Sequence, residues 1–324
     1  MTRRIKKDGG GTFCPPAFQS RYPTTAIFTL LLPMFFFLAC RKIPRGPLPV
    51  PPGFSWQGHR GSRGLMPENS IPAFLKALEY PEVNTLELDL AVSKDNQLIV
   101  SHEPWFNASI CLKANGDSIR HKEEQQFLLY QMTTEAIRSF DCGSLGNPRF
   151  PGQQKQKTWK PTLREVVEAV RAKRPDKAAT LHWNIEIKSQ PAWDGLRHPP
   201  IEAFCELVMT ELKVLGIENQ ANLQSFDVRP LQYLHRAHPS IKLALLVENI
   251  RGLDYNLSNL GFQPDIYSPY YRLVSRKTLK TCHQKGIQVI PWTVNEVKDM
   301  RALLHLGVDG IITDYPDRIR GATL

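Results

Sequence analysis

A chain of 324 residues, 42% hydrophobic and 22% charged, has the size and apolar content of one large domain or two small ones. Its net charge is +10; residues 1–39, with five Lys/Arg and one Asp, supply +4 of this and leave a mild +6 on the remainder. No basic run is interleaved with aromatic residues, which argues against a nucleic-acid partner; a mild positive excess suits small anionic ligands.

The first elements in chain order are not part of a fold. Arg3, Arg4, Lys6 and Lys7 give a positive start, and Ala26–Ala39 is almost wholly apolar. That run is too short for a membrane span and matches a signal-peptide core. It ends at Phe37-Leu38-Ala39-Cys40, which looks like a bacterial lipoprotein cleavage site with Cys40 as the lipidated residue. Residues 1–39 are therefore expected to be a signal peptide or lipoprotein leader. Residues 40–53, rich in proline, read as an extended tether, and residues 54–324 as the working domain. The expected location is extracytoplasmic, on a membrane through an N-terminal lipid anchor in the periplasm or at the cell surface; a secreted soluble protein is the alternative.

After Gly53, short β-rich runs alternate with helical stretches. The expected strands are 55–58, 85–91, 181–187, 221–226, 242–247, 265–268, 288–293 and 310–313. The expected helices include 71–79, 163–174, 201–215, 230–237, 275–285 and 296–306. Eight strands alternating with helices indicate an α/β fold, either a (β/α)8 TIM barrel or an open doubly wound sheet. An extra strand at 98–102 and a polar stretch at about 103–160 interrupt the rhythm. Within that stretch Cys111 and Cys142 are either bridged or isolated buried thiols, and no cysteine pair in the chain has metal-ligand spacing.

The chemistry-bearing residues lie where strands should end. His59-Arg60-Gly61 follows the first strand, and Pro67-Glu68-Asn69-Ser70 precedes the first helix. Glu87 and Asp89 sit two apart on the second strand, as do Glu186 and Lys188 on the third, so each pair can face one way. His102 closes the extra strand. Three carboxylates converging on one mouth repel one another unless a cation joins them; Ca2+ or Mg2+ suits oxygen ligands better than zinc does. Imidazoles pass protons near neutral pH, and Arg or Lys binds phosphate oxygens. This is the equipment of metal-assisted phosphodiester cleavage. The bland readings are an ion pair for Glu87 and Asp89, a surface position for Lys188, and core packing for Trp292 and Phe226.

Taken together, His59-Arg60-Gly61, Pro67-Glu68-Asn69-Ser70, Ala73-Phe74, Glu87-Leu88-Asp89, Asp95, His102, Pro161-Thr162-Leu163, Glu186-Ile187-Lys188, Ser225-Phe226, Trp292-Thr293-Val294-Asn295 and Thr313-Asp314-Tyr315-Pro316 resemble the glycerophosphodiester phosphodiesterase family. The resemblance runs from about Trp56 to Pro316 and implies the TIM barrel, with the 103–160 stretch as an insertion after the second strand. It implies metal-dependent hydrolysis of glycerophosphodiesters to sn-glycerol 3-phosphate and an alcohol. His59 and His102 would be the catalytic acid–base pair, and Glu87, Asp89 and Glu186 the ligands of a divalent metal, Ca2+ or Mg2+. Arg60, Lys188 and Trp292 would bind the substrate. Glu68 and Asn69 would support the site, with Asn69 capping the helix that begins near Ile71. The family usually has His-Asp where this chain has His102-Glu103. The competing readings are a phospholipase C- or D-like phosphodiesterase acting on intact lipid, and a surface binding protein with a dead site.

Overall fold

The computed structural model describes residues 46–324; the expected leader, Cys40 and the first part of the tether lie outside the described residues. Nine strands are formed: β1 (Ser55–Gly58), β2 (Thr85–Val92), β3 (Leu98–Val100), β4 (His182–Ile187), β5 (Ala221–Ser225), β6 (Lys242–Val247), β7 (Ile266–Pro269), β8 (Gln288–Val289) and β9 (Gly310–Thr313). Eight of them run parallel in the order β8-β7-β6-β5-β4-β2-β1-β9. The ends of this order meet. Asp309 N–H donates to Val289 O at 3.0 Å, Ile312 N–H to Pro291 O at 3.1 Å, and Val294 N–H to Ile312 O at 2.9 Å. The fold is thus a (β/α)8 barrel rather than an open sheet. β3 lies outside the ring, antiparallel to β2, and leads into the insertion.

The strand pattern explains the layering. On β2 every residue is buried, but alternate side chains part company. Leu86, Leu88 and Leu90 join the large apolar cluster under the helices, while Glu87 and Asp89 turn into the barrel. Barrel interiors are ordinarily filled by branched aliphatics. Here only the β6–β9 side is, by Ala244, Ile266, Ile290 and Ile312. The opposite side carries a chain of buried amides. Asn222 Nδ2 donates to Asn184 Oδ1 at 2.6 Å, Asn184 Nδ2 to Gln57 Oε1 at 2.7 Å, and Gln224 Nε2 to Glu87 Oε1 at 2.9 Å. Buried amides must be partnered, and these partner one another in a column that ends at the site.

Most helices fall where the periodicity puts them, within a residue or two. Ile71–Ala77 starts at Ser70, whose hydroxyl accepts the Ala73 N–H; Asn69 is therefore not the cap. Leu163–Lys173 opens with a reciprocal Thr162–Glu165 capping box, a device typically contributing about 1 kcal/mol. Leu253–Leu260 and Thr134–Arg138 were not expected; both are short, with few apolar positions to set a period. β8 is four residues shorter than anticipated, because Pro291 has no N–H for a ladder.

The insertion is a folded unit with its own small core. Phe106 stacks on Phe140 at 3.9 Å, and Cys111 and Cys142 are joined in a disulfide beside them. At the other end of the barrel, Leu48 is buried and its N–H donates to Thr323 O, so the last residues of the expected tether are packed chain. Among the described residues, no helix is long and apolar enough to cross a membrane.

Candidate active site

β1 ends in a sharp turn. Gly58 and Gly61 have no room for a Cβ, which would sit 2.2 Å from Gly61 O and 2.6 Å from the Ala73 carbonyl carbon, respectively. Between them Arg60 takes a left-handed backbone conformation, φ 50°, and Asn69 does the same at φ 53°. Such conformations cost a side-chain-bearing residue about 1 kcal/mol or more and persist where the surroundings demand them. The demand is visible. The turned Arg60 N–H donates to Glu87 Oε2 at 2.8 Å, and Asn69 Nδ2 donates to Asp89 Oδ2 at 2.8 Å.

Glu87, Asp89 and Glu186 come together as the strand spacing suggests. One carboxylate oxygen from each lies within 4.8 Å of the others, all three buried. Burial, with the Asp89 charge adding to it, pushes the Glu87 carboxyl well above the usual carboxylate range. Burial raises Glu186 to about 7 against the pull of Lys188. Asp89 stays low: burial opposes this, but Arg60, His102 and Lys188 hold it ionised. Its Oδ1 is buried with no hydrogen-bond partner. Three oxygen donors, two of them pushed toward protonation and one with an orphaned atom, fit a hard divalent cation such as Ca2+ or Mg2+.

Arg60 and Lys188 are both tied to this cluster. Arg60 Nη1 donates to Glu68 Oε1 at 2.7 Å, and its Nε lies 3.3 Å from Asp89 Oδ2 without a hydrogen bond of its own. Lys188 Nζ donates to Glu186 Oε1 at 2.8 Å. Neither is a surface residue. Glu68 thus holds Arg60, and Asn69 holds Asp89.

The two imidazoles differ. His59 is buried, with Nδ1 2.6 Å from Asp314 Oδ1 and Nε2 3.8 Å from Glu87 Oε2. Burial, reinforced by Arg63, lowers its pKa to about 4. Asp314, held well below the usual range by His59 and Arg63 against its own burial, is ionised and can only accept. The neutral His59 therefore carries its proton on Nδ1 and keeps a lone pair on Nε2. His102 is half-buried, its Nδ1 2.9 Å from Glu103 Oε1. The longer acid that stands in for the family's usual Asp reaches the imidazole. Lys160, buried, donates to Ser101 Oγ, whose own hydroxyl donates to Glu103 O, fixing this loop.

These groups line a cavity of about 520 Å3 at the C-terminal ends of the strands, including His59, Arg60, Glu87, His102, Glu186 and Trp292. Asp89 lies beneath its floor. Trp292 donates its indole N–H to Ser268 O and packs edge-on against Phe226 at 5.3 Å, forming one wall. Asp314, Arg63, Gln224, Asn295 and Lys160 were not assigned roles from sequence. The Thr313-Asp314-Tyr315-Pro316 run was the one available signal for Asp314, since it follows a strand end.

Residues 59–318 match the family model described as the glycerophosphoryl diester phosphodiesterase family. A glycerophosphodiester phosphodiesterase of Caldanaerobacter subterraneus subsp. tengcongensis is 30% identical over 263 residues, covering 81% of this chain and 94% of its own. A human lysophospholipase D is 24% identical, covering 81% and 83%. The crystal structure of a Silicibacter pomeroyi homologue superposes with a TM-score of 0.73 at 27% identity, covering 83% of this chain and 93% of that one. An Oleispira antarctica phosphodiesterase solved with sn-glycerol-3-phosphate shares the fold, with a TM-score of 0.64 at 20% identity and coverage of 85% and 96%.

Proposed function

The chain belongs to the glycerophosphoryl diester phosphodiesterase family, and on that premise we propose that it hydrolyses glycerophosphodiesters to sn-glycerol 3-phosphate and an alcohol. The observation that carries this reading is the convergence of the Glu87–Asp89–Glu186 cluster with His59, His102 and Arg60 on one cavity. A binding protein with a dead site has no need of the partners that hold both imidazoles.

Glu87, Asp89 and Glu186 would hold a divalent cation, Ca2+ or Mg2+. When bound, that ion supplies Lewis-acid polarisation of the phosphate and charge neutralisation. The chain's own residues do the rest. Arg60, held by Glu68, presents a guanidinium to non-bridging phosphate oxygens, and Lys188 adds a second positive charge beside it. His59 and His102 divide the proton transfers, one removing a proton from the attacking hydroxyl or water, the other giving one to the leaving oxygen. Asp314 and Glu103 fix the tautomers that these roles require. Trp292 and Phe226 wall the cavity against water.

The test is a panel of glycerophosphodiesters and intact phospholipids assayed with Ca2+, Mg2+ or a chelator. Turnover of the deacylated esters only with a divalent ion supports the reading; turnover of intact diacyl lipid alone overturns it.

For location, we propose export and lipidation at Cys40. The basic start, the apolar run and the cysteine support this, and a disulfide in the folded domain suits an oxidising compartment. Membrane association in a bacterial host that vanishes in Cys40→Ser is the expected result. A soluble cytoplasmic product retaining Met1 would overturn it.

A further inference from the structure

A second cavity, of about 710 Å3, opens beside the first and shares His102, Glu186, Phe226 and Trp292 with it. A diester whose phosphorus sits at that shared wall must send its two ester arms in different directions. The first cavity is polar around its depth, with Arg60, Gln224 and Asn295, and suits the phosphoglycerol arm. The second is walled by four aromatic rings: Trp105, Trp193, Phe226 and Trp292.

Two features say what those rings suit. The first is that they already hold cations. The Arg197 guanidinium lies 4.9 Å from the Trp105 ring centroid and 5.2 Å from that of Trp193, which stand edge to face at 6.0 Å, and the Lys188 ammonium lies 5.9 Å from that of Phe226. The second is charge. Lys188 is neutralised by Glu186, and Asp227 by Arg229, so neither calls for a partner. Glu248, at the exposed rim of the same cavity, has no hydrogen bond or ion pair among the described residues. An aromatic enclosure with one uncommitted carboxylate at its edge matches a compact organic cation.

Resting on the hydrolytic reading above, we propose that this cavity binds an ammonium-bearing leaving alcohol, so that the preferred substrates are glycerophosphodiesters of choline-like amino alcohols.

The experiment compares four esters on the full chain. They are glycerophosphocholine, glycerophosphoethanolamine, glycerophosphoglycerol, and the ester of 3,3-dimethylbutanol, which has the shape of choline without its charge. The expected kcat/KM for the choline ester exceeds that for its neutral isostere by about ten-fold, the size of cation–π attraction at a partly desolvated site. Glu248→Gln and Trp193→Leu should each bring that ratio down several-fold. Choline chloride, titrated by calorimetry, should bind in the millimolar range and more weakly to both variants. Equal turnover of the choline ester and its isostere overturns the proposal while leaving the hydrolytic reading intact. Choline binding without hydrolysis of any ester supports the cavity and overturns the hydrolytic reading. Absence of choline binding overturns the cavity assignment.

Discussion

Nδ1 of His59 and Oδ1 of Asp314 stand 2.6 Å apart, joining the end of the first strand to the end of the last across 255 positions of sequence. The same carboxylate accepts from Arg63 Nε at 2.9 Å and Nη2 at 3.1 Å, and from Asn295 Nδ2 at 2.8 Å. Asp314 is therefore fixed from three sides, and the imidazole it grips has one tautomer and one orientation. The closure of the barrel makes this contact available, since β1 and β9 are paired neighbours.

Asp314→Asn should leave the fold in place, because the amide is isosteric and can still accept from Arg63. It removes the charge that sets the His59 tautomer. We expect kcat to fall by about 10²–10⁴-fold, the range of acid–base effects, with KM changed far less. Thermal melting within a few degrees of wild type would separate this from unfolding. A near-normal kcat would take His59 out of the proton transfer.

His102 and Glu103 make the matching prediction on the opposite side of the mouth. His102→Ala should lower kcat by about 10²–10⁴-fold. Glu103→Gln keeps the length and a hydrogen bond but loses the charge, and should cost less, on the order of ten-fold. Glu103→Asp shortens the arm and should fall between wild type and Gln. If Glu103→Gln matched wild type across the pH profile, the 2.9 Å contact would be structural only.

The barrel and its site were legible in sequence to different degrees. Alternation of β-rich and helical runs indicated eight strands, because buried parallel strands read as apolar runs between helices. Glu87 with Asp89, and Glu186 with Lys188, could be read because residues two apart on a strand share a face. Asp314 and Asn295 could not be assigned, since their partner lies more than two hundred residues away and nothing local marks the contact. Asn69 was misread as a helix cap. Its left-handed backbone, which turns the side chain to Asp89, has no signature beyond asparagine's tolerance of that conformation. The amide column through Asn184 and Gln224 was likewise invisible, because single polar residues within strands read as interruptions.

Metal removal offers a test that does not depend on activity. With the carboxylates paired by a cation, the folded state gains free energy that the unfolded chain lacks, about 2.7 kcal/mol at a hundred-fold excess over Kd. Ca2+ or Mg2+ should raise Tm of the chelator-treated protein by several degrees, and Glu186→Gln should lose most of that rise. An unchanged Tm in wild type at millimolar Ca2+ and Mg2+ would show that the cluster is a hydrogen-bonded structural feature.

That stabilisation should also depend on pH, with a definite sign. In the metal-free protein, burial, with help from Asp89, raises Glu186 to about 7, above its ordinary value of 4.5. A carboxyl whose folded pKa is raised favours the folded state while protonated. Its contribution is fully present below pH 4.5 and is lost as pH rises through about 7. Glu87, raised in the same direction, adds to this. A cation must displace those protons, so it binds weakly at low pH and relieves the repulsion at high pH. The Tm difference between metal-loaded and metal-free protein should therefore widen between pH 5.5 and 8. His59, lowered to about 4, stays neutral through that window and does not mask the trend. Differential scanning calorimetry at four or five pH values, with and without Ca2+, measures it. A difference that stays flat, or narrows toward pH 8, would mean that the carboxylates at the barrel mouth are ionised without help and that the cation, if bound, is held elsewhere.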